Sequence, residues 1–158
     1  MVTVIVKRNT YGGTEYLQNA CNYVLNPEKA IGAGGYGVDP YNAGYAYHQM
    51  MANKSYFGKT GDNPLLHVIV SFDDSVTDAN TARKMTEQCA GYYSSDYQVL
   101  YCTHEKERGC SHYHGHILIN SVGYNNGRII NSSVSNMYQF CEHVARVTGQ
   151  KYRLYFEE

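Results

Sequence analysis

The sequence lacks several features that mark common protein classes. It has no tryptophan, only three prolines among its 158 residues, and no apolar run long enough to cross a bilayer. Its five cysteines are an odd number and form no CxxC pair, which argues against both a cysteine zinc site and a disulfide framework. Free thiols in a reducing compartment fit better. Since the N-terminus also has no signal-peptide pattern, we expect a cytoplasmic protein.

An excess of basic charge is also absent. The 13 Lys and Arg against 14 Asp and Glu give a net charge of −1, so the basic excess that is common in nucleic-acid-binding proteins is missing. The net value does not describe how charge is distributed, and a bound metal ion would add positive charge locally. Tyrosine, with 17 residues, is the abundant type, and no repeat or low-complexity tract is visible. The length predicts a single domain over residues 1–158.

Hydrophobic periodicity predicts five strands and three helices. The strands are expected at residues 1–7, 65–72, 97–104, 113–122 and 151–156, and the helices begin at Thr14, at Thr77 or Asp78, and at Ser132 or Ser133. Residues 31–64 show no clean period, so we expect an irregular segment there, with DNA contact and a plain surface loop as equal alternatives. The order β-α-β-α-β-β-α-β predicts an α+β fold: a central, mostly antiparallel sheet of about five strands with helices packed on it.

A concentration of histidines is the main chemical signal. Four of the seven histidines lie between positions 104 and 116. His112, His114 and His116 are two residues apart, which places them on one face of a strand. His104 ends the preceding strand, and a hairpin would bring it opposite that face, with Cβ atoms about 5 Å apart. Three imidazoles on rigid strands leave open coordination positions, as in a catalytic metal site.

Other interpretations of this cluster remain open. A single buried histidine is usually structural, and a lone HxH pattern occurs by chance, although four histidines in 13 residues are much harder to explain that way. A small three-histidine metalloenzyme acting on water or oxygen would also use such a site. A protein that binds metal or DNA without catalysis is a further alternative. Nitrogen ligands suit several divalent cations, so the pattern does not select one.

Three segments resemble a known family when taken together. Thr103-His104 followed by residues 112–122, HYHGHILINSV, is similar to the metal-binding motif of plasmid mobilisation relaxases, which are HUH endonucleases. Residues 23–29, YVLNPEK, resemble the segment that carries the catalytic tyrosine of these enzymes. Residues 59–61, KTG, with 67–72, HVIVSF, resemble the strand between those motifs. The segments occur in the family's order and span most of the chain.

The resemblance implies an activity and a set of site residues. Such an enzyme is bacterial, and it nicks and rejoins single-stranded DNA at an origin of transfer through a 5′-phosphotyrosine, with accessory relaxosome proteins as partners. Tyr23 would be the nucleophile and His104, His114 and His116 the metal ligands, with Mn or Mg expected first and Zn, Ni or Co as alternatives. Tyr16, on the same helical face, is a second candidate nucleophile. A related HUH replication initiator or transposase would instead use a later tyrosine, and Tyr138 is the candidate.

Further residues complete the candidate site. The acidic residue usual two places after the first histidine is replaced by Lys106, so Glu107, or else Glu105, is expected to orient a ligand. The remaining candidates around the ligands are His112, His67 and Asn120. The candidates for DNA binding are Lys29, Lys54, Lys59 and Arg128. Relaxases usually carry regions beyond the nuclease core, so the chain is either a minimal version or one domain of a longer protein.

Overall fold

The computed structural model describes residues 1–8, 14–61, 63–105 and 112–157. The described strands are β1 (Val2–Lys7), β2 (Ala30–Tyr36), β3 (Leu65–Ser71), β4 (Val99–His104), β5 (His114–Asn120) and β6 (Tyr152–Glu157). The described helices are α1 (Thr14–Val24), α2 (Ala43–Tyr56), α3 (Ala79–Ala90) and α4 (Val134–Thr148), with a short 3-10 turn at Gly91–Tyr93. These elements form one six-stranded sheet with helices on both faces.

The sheet has the strand order β2-β4-β5-β3-β1-β6. Every neighbouring pair is antiparallel except β1 and β6, which run parallel. The predicted α+β class with a mostly antiparallel sheet is therefore confirmed, with six strands in place of about five. The two histidine-bearing strands, β4 and β5, lie side by side near the middle of the sheet.

Strand alternation divides the core into two layers. On the face that we call the α3/α4 face, alternate valines of β1 and β3 pack against α3 and α4, with Phe140 and Met137 fully buried. On the opposite face, the α1/α2 face, Leu100 and Leu118 pack against Leu17 of α1 and Met50 of α2. Burying each such side chain contributes roughly 1.5–3 kcal/mol, so both layers hold the sheet in place.

The predicted starts of α3 and α4 are correct, because both depend on a local cap. Asp78 caps α3, its side chain accepting a hydrogen bond from the Thr81 N–H, and Ser133 caps α4 in the same way. Gly149 ends α4 with a φ of 68°, a left-handed conformation that glycine adopts without strain. These caps lie within the pairs of positions that the sequence predicted.

The expectation of irregular structure at 31–64 was wrong, because this region contains most of β2 and all of α2. β2 has the sequence AIGAGGY, which lacks the β-branched residues typical of strands, so its pairing with β4 defines it. α2 buries only Ala46, Met50 and Lys54, too few apolar residues to produce a helical period. In both elements tertiary contact outweighs local propensity.

The cysteines that the structure describes are consistent with the predicted free thiols. Cys21, Cys89, Cys102 and Cys141 are buried and form no disulfide, whereas Cys110 lies outside the described residues. Burial raises the pKa of the Cys21 and Cys89 thiols to about 12, so both stay protonated at neutral pH. Among the described helices, none combines the length and the apolar character needed to span a bilayer.

Candidate metal centre

Pairing between β4 and β5 brings three histidines together. His104 lies opposite His114, and Cys102 lies opposite His116, so the three imidazoles project from the α1/α2 face. The ring centroids of His104 and His116 are 4.1 Å apart, and His114 lies 5.6 Å and 5.4 Å from them. One nitrogen from each ring falls within 4.8 Å of the others, which is close enough to share a metal ion.

Hydrogen bonds to two of these rings determine which nitrogen carries the proton. His104 Nε2 lies 2.9 Å from the Val24 carbonyl oxygen, and because a carbonyl only accepts, Nε2 is the protonated nitrogen. His114 Nδ1 donates to the His112 carbonyl at 3.3 Å by the same argument. The unprotonated nitrogens are therefore Nδ1 of His104 and Nε2 of His114. Second hydrogen bonds of this kind commonly orient metal-binding histidines.

The third ring is oriented by another histidine. His116 Nδ1 lies 3.1 Å from Nε2 of His67, which faces the site from β3. The other nitrogen, His116 Nε2, is buried and has no hydrogen-bond partner among the described residues. A buried polar atom without a partner is costly, and a cation held by His104, His114 and His116 would satisfy it. The structure therefore fits the predicted metal centre.

Burial keeps the two inner histidines neutral. Desolvation, followed by the positive charge of Lys7, lowers the pKa of His67 to about 3. Desolvation likewise holds the pKa of His116 far below its usual value, with smaller effects from neighbouring histidines. A neutral imidazole is the form that coordinates metal, so His116 need not lose a proton at neutral pH to bind a cation.

Tyr23 lies beside the histidines at the end of α1. Its ring centroid is 5.8 Å from that of His104 and 5.5 Å from that of His116, and the side chain is 44% exposed. α1 is held there by its apolar face and by the Val24 carbonyl, which contacts His104. The Nζ of Lys29 lies 4.9 Å from the Tyr23 ring centroid. The structure thus brings the predicted nucleophile, the predicted ligands and one predicted DNA-binding lysine together.

The two alternative tyrosines occupy different environments. Tyr16 is partly buried and packs against the apolar layer beneath α1 and α2. Tyr138 is on α4, with its ring 6.3 Å from that of Tyr152, and therefore lies on the other side of the sheet from the histidines. Of these three tyrosines, Tyr23 is the one with ring contacts to the predicted ligands.

The predicted residues around the ligands are only partly at the site. His67 contacts His116, as described above. His112 was predicted to share the strand face of His114 and His116, but β5 begins only at His114. The Nδ1 of His112 lies 3.1 Å from an Asp74 carboxylate oxygen. Glu105 is exposed, and its N–H donates to the Lys29 carbonyl at 3.1 Å. Glu107 and Lys106 lie outside the described residues.

Asn120 and Lys54 belong to a separate network, in contrast to their predicted roles. Asn120 ends β5, about 13 Å along the strand from the nearest ligand, His116, so it does not contact a ligand histidine. Lys54 is only 2% exposed, and its ammonium donates to Asn120 Oδ1 and the Pro64 carbonyl at 2.6 Å and to Ser121 Oγ at 2.9 Å. The buried ammonium therefore joins α2 to the end of β5 and is not available to DNA.

The other two predicted DNA-binding residues lie at that same end of the sheet. Lys59 is exposed and donates to the Gly127 carbonyl, and Arg128 is exposed in the adjoining turn. Both are far from Tyr23 along the strand direction. Of the four basic candidates, Lys29 is the one that contacts the tyrosine.

Sequence reasoning missed the role of Gly115. This residue lies between two ligand histidines but faces α3, where a β-carbon would stand 2.5 Å from Thr86 Oγ1. The glycine therefore allows α3 to pack directly behind the metal centre. A small residue inside the HxH pattern was the available signal.

Comparison with known proteins identifies the family. The model of the family described as Relaxase: MobA/VirD2-like, nuclease domain, matches residues 23–154. The chain belongs to this relaxase family. The match begins at Tyr23 and includes all three clustered histidines, so the site described above lies within the relaxase nuclease domain.

A solved structure from a study of vancomycin resistance transfer in Staphylococcus aureus shares the fold of this relaxase domain. It aligns over 98% of this chain and 95% of that chain, with a TM-score of 0.58 and 10% sequence identity. At this identity the likeness concerns the fold alone. No curated protein matches the sequence significantly.

Proposed function

We propose that this relaxase-family chain is a metal-dependent enzyme that nicks and rejoins single-stranded DNA at an origin of transfer through a 5′-phosphotyrosine. The observation that carries the proposal is the position of Tyr23, partly exposed and within 6 Å, ring to ring, of two clustered histidines. Family membership supports DNA nicking as the reaction class. A bacterial cytoplasmic setting and accessory relaxosome partners belong to the same proposal.

The reaction exchanges one phosphodiester bond for another. The Tyr23 hydroxyl loses its proton and attacks the scissile phosphorus, and the bond from phosphorus to the 3′-oxygen breaks. That oxygen takes up a proton and leaves as a free 3′-hydroxyl, while the 5′-phosphate remains esterified to Tyr23. Attack by a 3′-hydroxyl on the phosphotyrosine reverses the step. Because the bond energy is stored in the covalent intermediate, rejoining needs no external energy source.

The residues around Tyr23 have distinct roles in this proposal. His104, His114 and His116 would hold a divalent cation, with Mn or Mg as the first candidates. A cation bound there supplies Lewis-acid stabilisation of the charge on the phosphate. His67 holds the ring plane of His116 through their 3.1 Å contact. Lys29 places positive charge next to the Tyr23 ring, where the phosphate must approach.

The decisive experiment uses single-stranded oligonucleotides from the origin region of the element that encodes the protein, labelled at the 3′ end and incubated with Mn²⁺. The proposed linkage leaves the 3′ fragment on the protein, so a labelled band resistant to SDS should appear on a denaturing gel. EDTA and Tyr23→Phe should each abolish it. Tyr16→Phe and Tyr138→Phe are matched controls that should leave it intact.

Two results would contradict the proposal. An adduct that persists in Tyr23→Phe but disappears in Tyr138→Phe would instead favour the initiator or transposase alternative. Metal binding by calorimetry without an adduct on any strand would leave a non-catalytic DNA-binding protein or a different metalloenzyme.

A further inference from the structure

The register of the sheet aligns side chains on the α1/α2 face into rows that cross the strands. One row runs from His116 through Ile69 and Ile5 to Tyr155, because each of these residues pairs with the next across a neighbouring strand. Directly paired residues project to the same face. The row therefore leads from the metal centre, through β3 and β1, to the edge strand β6.

The outer part of this row is open. Tyr155 is 50% exposed, and Ile5 and Ile69 are partly exposed. The inner end of the row, at His116, is buried. Three adjoining apolar side chains thus form a strip at the surface of the sheet. A contiguous exposed apolar surface that adjoins a reactive centre offers a place for a ligand to bind.

The rows on either side of the strip are polar and differ in charge. On one side lie Arg153, Thr3 and Ser71, in the row that ends at His114. On the other side lie Lys7 and Glu157, which pair with each other at 2.6 Å. The first row offers a guanidinium and two hydroxyls, whereas in the second row the carboxylate of Glu157 neutralises the charge of Lys7.

We propose that Ile69, Ile5 and Tyr155 form a base-binding platform for single-stranded DNA, with Tyr155 as the stacking residue. This inference rests on the proposed function for the identity of the ligand. Nucleobases are flat and apolar on their faces, and stacking on an aromatic side chain is tolerant of sequence. The phosphates would follow the row of Arg153, Thr3 and Ser71, since in the opposite row the charge of Lys7 is neutralised by Glu157.

The spacing of the sheet determines which nucleotide is bound. Tyr155 is three strands away from His116, or about 14 Å. The base on Tyr155 therefore belongs to a nucleotide a short distance from the scissile phosphate and not to the nucleotide that reacts. Tyr155 is accordingly a binding residue, separate from Tyr23.

The absence of tryptophan allows a direct test. Tyr155→Trp places a single tryptophan on the platform, and Tyr138→Trp places one at a similarly exposed position on the α3/α4 face. The probes are a 15-nucleotide oligo(dT) and an abasic strand with the same number of phosphates. We expect oligo(dT) to quench the emission of Tyr155→Trp, the abasic strand to leave it unchanged, and neither strand to affect Tyr138→Trp.

Affinity measurements complete the test. Tyr155→Ala should weaken binding of oligo(dT) by about 5- to 100-fold, the range for loss of one stacked base, while Tyr155→Phe should bind as the wild type does. Oligo(dT) affinity unchanged in Tyr155→Ala, or equal quenching by the abasic strand, would overturn the platform. If the wild-type protein binds neither strand, the proposal is also overturned, and the platform would instead be available to a protein partner.

These results can be separated from those for the proposed function. Tyr23→Phe should form no adduct yet bind oligo(dT) as tightly as the wild type. Binding that depends on Tyr155, in a protein that forms no adduct on any strand, would overturn the nicking mechanism and leave the platform. Adduct formation with binding independent of Tyr155 would do the reverse.

Discussion

Replacing Gly115 by alanine would perturb the metal centre from behind. The new β-carbon would lie 2.5 Å from Thr86 Oγ1 and 3.1 Å from Thr86 Cβ. Thr86 cannot easily rotate away, because its hydroxyl donates to the Ala82 carbonyl at 2.8 Å and contacts the Thr103 hydroxyl at 3.0 Å. β5 and α3 must therefore separate by roughly 0.9 Å to restore an ordinary contact.

The size of the effect follows from this displacement. Forcing one extra carbon into a well-packed core costs about 1–3 kcal/mol in unfolding free energy. Because Gly115 is flanked by two ligand histidines, movement of the strand also displaces their imidazoles. We expect the affinity for Mn²⁺ to fall by about tenfold or more, in line with the sensitivity of metal sites to the orientation of their ligands.

Urea denaturation and calorimetric Mn²⁺ titration would measure both effects. Gly61→Ala is the matched control, since a β-carbon there meets nothing within 4 Å, and it should change neither quantity. Adding Thr86→Ala to Gly115→Ala removes the closest atoms and should recover part of both losses. Wild-type stability and metal affinity in Gly115→Ala would refute the reasoning that α3 packs against β5 at this point.

Three further predictions concern other parts of the structure. His67→Phe keeps an aromatic ring but removes the hydrogen bond to His116, so Mn²⁺ affinity should fall about 10- to 100-fold in calorimetry while the circular dichroism spectrum is retained. Lys54→Met leaves buried acceptors without a donor and should lower the unfolding free energy by about 2–4 kcal/mol at pH 7 in urea denaturation. Burial lowers the pKa of Lys54 from 10.5 to about 8, so between these pH values the unfolded chain binds more protons than the folded one. The unfolding free energy should therefore rise with pH over this window, and this rise should be missing from Lys54→Met. Ser133→Ala removes the cap of α4 and should cost about 1 kcal/mol, measured as a lower urea midpoint.

Each of these predictions has a result that contradicts it. Unchanged metal affinity in His67→Phe would mean that His116 is oriented by the backbone alone. Parallel pH profiles of stability for wild type and Lys54→Met between pH 8 and 10.5 would show that Lys54 does not titrate in this window. For the helix cap, Ser132→Ala is the control. An equal loss of unfolding free energy in both variants would show that the hydrogen bond to Ser133 does not stabilise α4.

Local patterns determined much of this protein. The two-residue spacing of His114 and His116 predicts their common face, because side chains alternate along any strand. The starts of α3 and α4 were predictable because a cap is a contact between residues three positions apart. The end of α1 before Pro27 follows from proline's effect on the preceding residue. None of these inferences needed knowledge of distant contacts.

Tertiary structure decided the features that depend on residues far apart in sequence. β2 and α2 have no clear period of their own, so only their packing on the sheet defines them. Lys54 was expected to bind DNA, but it is buried by partners, Asn120 and Ser121, that lie more than 60 residues away in sequence. Docking of α1 on the sheet brings Tyr23 to His104 across 80 residues of sequence. The pairings of β6 with β1, β1 with β3 and β3 with β5 together align Tyr155 with the metal centre. Sequence periodicity reports which side of an element is buried, whereas the choice of neighbour depends on contacts that form only when the whole sheet is assembled.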